Sequence, residues 1–145
     1  MKSIEINSAL WVADQVALDD FAALAEAGFT DVINNRPDDE EPNQPGTEAE
    51  ARAAAAAGLG YAHIPVTRTT ITEADIRRFQ AAIARASGRV LAHCKSGTRT
   101  LMLWAIGEVL DQRMRIEDIE TLGRTVGIDL ADAARWCASH DGCRR

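Results

Sequence analysis

The residue types best able to do chemistry lie in one short segment, His93-Cys94-Lys95-Ser96-Gly97-Thr98-Arg99-Thr100. The apolar run Val90-Leu91-Ala92 before it reads as a short buried strand. Residues 98–111 after it read as a helix that is apolar nearly all round, the pattern of a helix buried in the middle of a domain. Such a strand would deliver Cys94 to a tight loop through Gly97, which runs straight into the helix N-terminus. Successive backbone N–H groups of Lys95, Ser96, Gly97 and Thr98 could form an anion nest there, with the positive end of the helix dipole behind it. Arg99 adds a planar fork of donors that matches an oxyanion bidentately. A thiol in this setting is expected to be acidic, because free cysteine titrates near ~8.5 and helix N-termini with cationic neighbours bring it to roughly 3.5–7.5. Cys94 then reads as a thiolate nucleophile aimed at electrophilic phosphorus or sulfur. Thr100 is expected to donate a hydroxyl hydrogen bond to that thiolate. The alternative is a buried structural cysteine.

The elements that must position this loop alternate between strand and helix. Residues 4–6 and 10–12 read as two short opening strands. Leu18, Phe21, Leu24 and Ala25 repeat at helical spacing, with Gly28 as the C-terminal stop. A strand is expected over 30–34, then a polar loop over 35–46 that holds three of the four prolines. Thr47 and Glu50 have capping-box spacing for the next helix, which Gly58 ends. Residues 61–64 read as a strand stopped by Pro65, and Thr72 as the cap of a helix with the apolar stripe Ile76, Phe79 and Ile83. Helices are also expected over 116–126 and 130–139. This alternation predicts a three-layer α/β/α fold with a central, mostly parallel sheet, in one domain over residues 1–145. Ligands of such folds lie at the carboxyl ends of the strands. Two loaded loops leave strands there, Asn34-Asn35-Arg36-Pro37 and the Cys94 loop.

Composition narrows the partners. Lys+Arg number 16 against 22 Asp+Glu, a net charge of −6. That argues against nucleic acid or an anionic membrane as main partner, since both reward a basic surface. A small anionic substrate needs only a local positive site. Three cysteines exclude a disulfide framework and suit a reducing compartment. The start Met1-Lys2-Ser3-Ile4-Glu5 has no apolar signal region, and the most apolar run, 101–107, is too short to span a bilayer, so a cytoplasmic location is expected. No cofactor is implied. Cys137, His140 and Cys143 have ligand-like spacing, but no fourth ligand is evident and the tail over 141–145 reads as frayed, so no metal site is assigned.

Several stretches resemble a known family. The loop His93 to Thr100 is similar to the signature loop of cysteine-dependent phosphatases. Five stretches resemble, in order, the bacterial beta-lactamase-hydrolase-like (BLH) phosphatase-like domains. They are Gly28-Phe29-Thr30-Asp31-Val32-Ile33-Asn34-Asn35-Arg36-Pro37, Glu40-Glu41-Pro42, Gln44-Pro45, His63-Ile64-Pro65-Val66, and Ser96-Gly97-Thr98-Arg99 with Leu103-Trp104. The resemblance implies a dual-specificity-phosphatase-like fold, Cys94 as nucleophile, Arg99 as anion-binding arginine, and His93 bonded to backbone to hold the loop. Some members of that family are fused to a metallo-hydrolase; this chain, with no His-rich metal motif, looks like the stand-alone form.

Two departures matter. The phosphatases place five residues between Cys and Arg, whereas here there are four, as in the shorter loops of rhodanese-type sulfurtransferases. Those phosphatases also carry an acid just after the Ile-Pro-Val strand end, to protonate the leaving oxygen. Here that loop reads Thr67-Arg68-Thr69-Thr70. Asp75 is the nearest acid, but it reads as a helix-capping residue; Asp38 and Glu41 are the candidates to substitute for it. Arg36, just past a strand end, either binds the substrate anion or pairs with Asp38 or Asp39; Arg68 is a similar candidate. His63 reads as a satisfied histidine, and Trp104 and Trp136 as core aromatics. The first expectation is a cysteine-dependent phosphatase acting on phosphate monoesters. The alternatives are a sulfurtransferase carrying a persulfide on Cys94, and a non-catalytic anion-binding module.

Overall fold

The computed structural model describes residues 1–143 of the chain, so Arg144 and Arg145, the end of the tail expected to fray, lie outside the described residues. Five strands form one sheet: β1 (Ser3–Asn7), β2 (Leu10–Ala13), β3 (Phe29–Asn34), β4 (Gly60–His63) and β5 (Arg89–His93). Their order is β1-β2-β5-β3-β4. Only β1, at the edge, runs antiparallel to its neighbour; β2, β5, β3 and β4 are parallel. The helices are α1 (Asp20–Glu26), α2 (Thr47–Ala57), α3 (Glu73–Arg85), α4 (Thr98–Leu110), α5 (Ile116–Val126) and α6 (Ala131–Ala138), followed by a 3-10 turn at Asp141–Cys143.

Side chains alternate across the sheet, as the period of a strand requires. Leu10, Val12, Ile33, Val90 and Ala92 join the core formed with α3 to α6. Ala13, Val32 and Leu91 join the smaller core formed with α1 and α2. The central strands therefore carry apolar residues on both faces, which is why they read as continuous apolar runs rather than alternating ones. The expected three-layer α/β/α arrangement is the observed one. Helix α4 is buried along most of its length, packed on α3, α6 and β2, because residues 101–106 give it no polar face to turn toward water. Among the described residues no helix is long and apolar enough to cross a membrane.

Two local expectations change. Helix α2 starts after Gly46 at φ +84, with no side-chain cap, and Glu50 is buried in the interior instead of closing a capping box on Thr47. The described part of the tail is not frayed: Asp141–Cys143 forms a turn and Cys143 is buried against the larger core. The Thr72 cap holds as read. Its hydroxyl accepts from the Asp75 amide at 3.1 Å, and the Asp75 carboxylate accepts from the Thr72 amide at 2.9 Å.

Candidate active site

Strands β3 and β5 are adjacent and parallel, with Asn34 opposite His93, so their loops leave the sheet side by side. The first residue after each strand stays in the ladder's reach: the Asn35 amide donates to the His93 carbonyl at 2.7 Å and the Cys94 amide to the Ala13 carbonyl at 3.4 Å. Cys94 is fully buried beneath the loop. The Gly97 amide donates to Cys94 Sγ at 3.1 Å. This curl requires Gly97 at φ +93, a left-handed conformation that costs a side-chain-bearing residue about 1–2 kcal/mol. Thr98, Arg99 and Thr100 open α4, where a helix leaves its N–H groups without an intrahelical acceptor.

The Arg99 guanidinium lies beside the Cys94 sulfur and is half-buried; Glu40 and Cys94 hold it protonated against the cost of burial. It donates to both oxygens of Glu40, at 2.7 and 3.0 Å, and to the Val66 carbonyl at 3.2 Å. Arg36 is also buried, as a cation among acceptors: Nε donates to Glu40 at 2.9 Å, one terminal nitrogen to Glu41 at 2.6 Å and the other to Gln15 at 3.0 Å. Its partners are thus Glu40 and Glu41, not Asp38 or Asp39. Lys95 is exposed and pairs with Glu41 at 3.2 Å. Ser96 and Thr98 place their hydroxyl oxygens 3.2 Å apart at the rim.

The carboxylates respond to this cationic ring. The Arg99 bond, partly opposed by burial and helped by Arg36, brings Glu40 down to about 2. Lys95 and then Arg36 hold Glu41 below its ordinary value. Because the folded value of Glu40 is depressed, its contribution to stability is fully present above its ordinary 4.5 and is lost as pH falls toward about 2. We expect Glu40→Gln to lose less stability than the wild type between pH 5 and pH 2.5, read as the drop in urea midpoint. Equal drops would show that the pair contributes nothing to folding.

Thr100 does not reach the sulfur. Its hydroxyl donates to Asn35 Oδ1 at 2.9 Å, and Asn35 Nδ2 donates to the Ile64 carbonyl at 3.0 Å, tying α4 to the ends of β3 and β4. The cause is the β3–β5 adjacency, which brings Asn35 against the first turn of α4. His93 holds the loop as expected, with Nδ1 3.1 Å from the Cys94 carbonyl. Its Nε2 lies 2.8 Å from Glu50 Oε1, a fully buried pair that the sequence did not reveal. Carbonyl and carboxylate oxygens accept, so each ring nitrogen donates in its contact. Glu50 also accepts from Gln15 at 3.0 Å and Tyr61 at 3.3 Å. Burial, with the Glu50 charge nearby, pushes the Tyr61 phenol up to about 12, so it remains a donor. Gln15 bridges the two clusters through Arg36 and Glu50.

The remaining candidates fall elsewhere. His63 Nε2 is satisfied by the Arg36 carbonyl at 2.8 Å. Asp75 caps α3. Asp38 accepts from the Thr47 amide at 2.8 Å. His140 stacks on Trp136, rings 3.5 Å apart, and among the described residues no group of three His, Cys, Asp or Glu is arranged to hold a metal. Burial pushes the Cys137 thiol well up, with Cys143 beside it.

A parallel-centred sheet whose β5 leads directly into a buried cysteine, under a glycine curl and an arginine at the head of a buried helix, defines a phosphatase-like domain of the cysteine-phosphatase fold. The chain belongs to the beta-lactamase hydrolase-like protein family, phosphatase-like domain, which it matches over residues 4–111. It is 52% identical over 136 residues to a beta-lactamase hydrolase-like protein of Xylella fastidiosa (strain Temecula1), covering 94% of this chain and 32% of that protein. It thus spans about a third of the length of the curated relatives it matches. A candidate phosphatase structure from Neisseria meningitidis z2491 superposes with a TM-score of 0.81 at 29% identity, covering 92% of this chain and 94% of that one. TpbA of P. aeruginosa gives 0.73 at 19% identity, covering 97% and 85%, and shares the fold.

Proposed function

We propose that this domain is a cysteine-dependent phosphatase for phosphate monoesters, with Cys94 as nucleophile and Arg99, Arg36, Lys95 and the loop 95–98 as the anion site. The observation that carries the reading is Cys94 Sγ under the Gly97 amide, beside the Arg99 guanidinium. In this reading the substrate phosphoryl group takes the Arg99 fork in place of Glu40. Cys94 Sγ attacks phosphorus, the ester oxygen leaves with its electron pair, and a phosphocysteine forms. Water then attacks phosphorus, the S–P bond breaks, and inorganic phosphate is released. The pTyr complex of TpbA, a fold neighbour, supports an anionic phosphorylated substrate. Three free cysteines fit a reducing, cytoplasmic setting.

The leaving group receives little help. Lys95 and Arg36 hold Glu41 ionised, Glu40 keeps its Arg36 partner when the substrate takes Arg99, and Asp75 is spent on a helix cap. General-acid assistance is worth roughly 10²–10⁴-fold, so its absence falls on substrates with basic leaving oxygens. We therefore expect hydrolysis of 4-nitrophenyl phosphate, with alkyl phosphates slower by at least about 10²-fold in kcat/KM. Comparable rates on both would mean that an acid operates here.

The four-residue spacing and the lack of a free acid favour a second reading, sulfur transfer. Cys94 thiolate would take the sulfane sulfur of thiosulfate, forming a persulfide and releasing sulfite. Intact mass after thiosulfate treatment decides between them: a gain of one sulfur without aryl phosphate hydrolysis would replace the phosphatase reading.

A further inference from the structure

The mouth of the site is a cavity of about 470 Å³ lined by four cationic side chains, Arg36, Arg68, Lys95 and Arg99, and two carboxylates, Glu40 and Glu41. Three of the cations are committed: Arg36 and Arg99 to Glu40, and Arg36 and Lys95 to Glu41. Arg68 is exposed and has no carboxylate partner among the described residues. It is also held near the reacting end. The Val66 carbonyl accepts from Arg99, and two residues of chain span at most about 7 Å, so the Arg68 backbone follows directly from the anion-binding arginine. The far side of its loop is fixed by the Trp136 indole, which donates to the Ile71 carbonyl at 2.7 Å. On that side the acid that lines the neighbouring groove, Asp132, is already paired with Arg135.

In the proposed reaction the phosphoryl group takes the loop amides and Arg99, with Arg36 and Lys95, already held by Glu40 and Glu41, around it. The cavity is larger than one phosphate, and its remaining cation is unneutralised. Resting on the phosphatase reading above, we propose that Arg68 determines specificity, by pairing with a second anionic group, a carboxylate or second phosphate, on the substrate. A planar fork on a flexible stem suits either group. The substrate class is then a phosphate monoester with a second negative charge displaced from the reacting phosphorus by roughly one aromatic ring.

The test compares phenyl phosphate with 4-carboxyphenyl phosphate, by kcat/KM on the wild type and by calorimetric affinity on Cys94→Ser. Wild type is expected to favour the carboxylate probe by about three- to fivefold, the scale of one exposed ion pair. Arg68→Ala is expected to bring that ratio to about one, and Arg68→Glu to reverse it. The preference should also shrink as salt rises. A ratio unchanged in both variants would overturn the proposal. If wild type hydrolyses neither probe, the phosphatase reading fails by itself, and the affinity ratio on Cys94→Ser still decides the role of Arg68: a preference lost in Cys94→Ser/Arg68→Ala supports it, and equal affinities overturn it.

Discussion

Cys94→Ser is expected to keep the wild-type fold and lose at least roughly 10³-fold of any covalent turnover, whichever electrophile proves to be the substrate. The fold should survive because serine is close to cysteine in volume and the Gly97 amide that now donates to Sγ can donate to a hydroxyl oxygen. The chemistry should not, because attack needs an ionised nucleophile and a serine hydroxyl has no base in position. His93, the residue beside it, points both ring nitrogens at other partners, the Cys94 carbonyl and Glu50. Arg99→Ala should follow with a loss of about 10²–10³-fold, the scale of removing one preorganised oxyanion donor. Far-UV dichroism and aryl phosphate kinetics on both variants check this. Cys94→Ser retaining more than a tenth of wild-type turnover would sink the assignment. A wild-type Cys94 that alkylates no faster than free cysteine at neutral pH would leave only anion binding.

The second large effect concerns folding. Glu50→Ala is expected to destabilise the domain by about 3–5 kcal/mol, the cost of removing one member of a buried pair. The carboxylate is 1% exposed and accepts from His93, Gln15 and Tyr61. Truncation would leave the fully buried His93 and the part-buried Gln15 and Tyr61 without that acceptor. The loss is a large share of the 5–15 kcal/mol that holds a typical domain together. Glu50→Gln, which keeps an acceptor oxygen, should cost less. Because His93 Nδ1 holds the Cys94 carbonyl, turnover of the surviving folded Glu50→Ala should fall as well. Chemical denaturation of the two variants reads the difference, and a change below 1 kcal/mol for Glu50→Ala would show that the pair does not hold the loop.

Much of this was legible without coordinates. The Cys94 loop, the buried α4, the Thr72 cap and the strand runs are all written in local order. A glycine at a turn, an apolar stretch and a capping pair act over a few residues, so their physics depends on neighbours in the chain. Arg99 beside Cys94 follows from the first turn of one helix. Where the local signal misled, it did so because tertiary contact outbid it. Glu50 has the spacing of a capping residue for Thr47, yet a buried histidine and tyrosine claim its carboxylate instead. Thr100 lies close in sequence to Cys94, yet Asn35, distant in sequence, takes its hydroxyl.

What the sequence by itself determined is the cysteine loop with its glycine curl, the buried helix behind it and the layered α/β frame. The tertiary structure decided how those charges are balanced. Placing β3 beside β5 brings Arg36 and the 38–41 loop against Arg99, so that Glu40 occupies the Arg99 fork and, of the described cations that line the mouth, Arg68 has no carboxylate partner. Strand order is a property of the whole chain, because each crossover connects segments tens of residues apart, and no local pattern encodes which carboxylate meets which arginine.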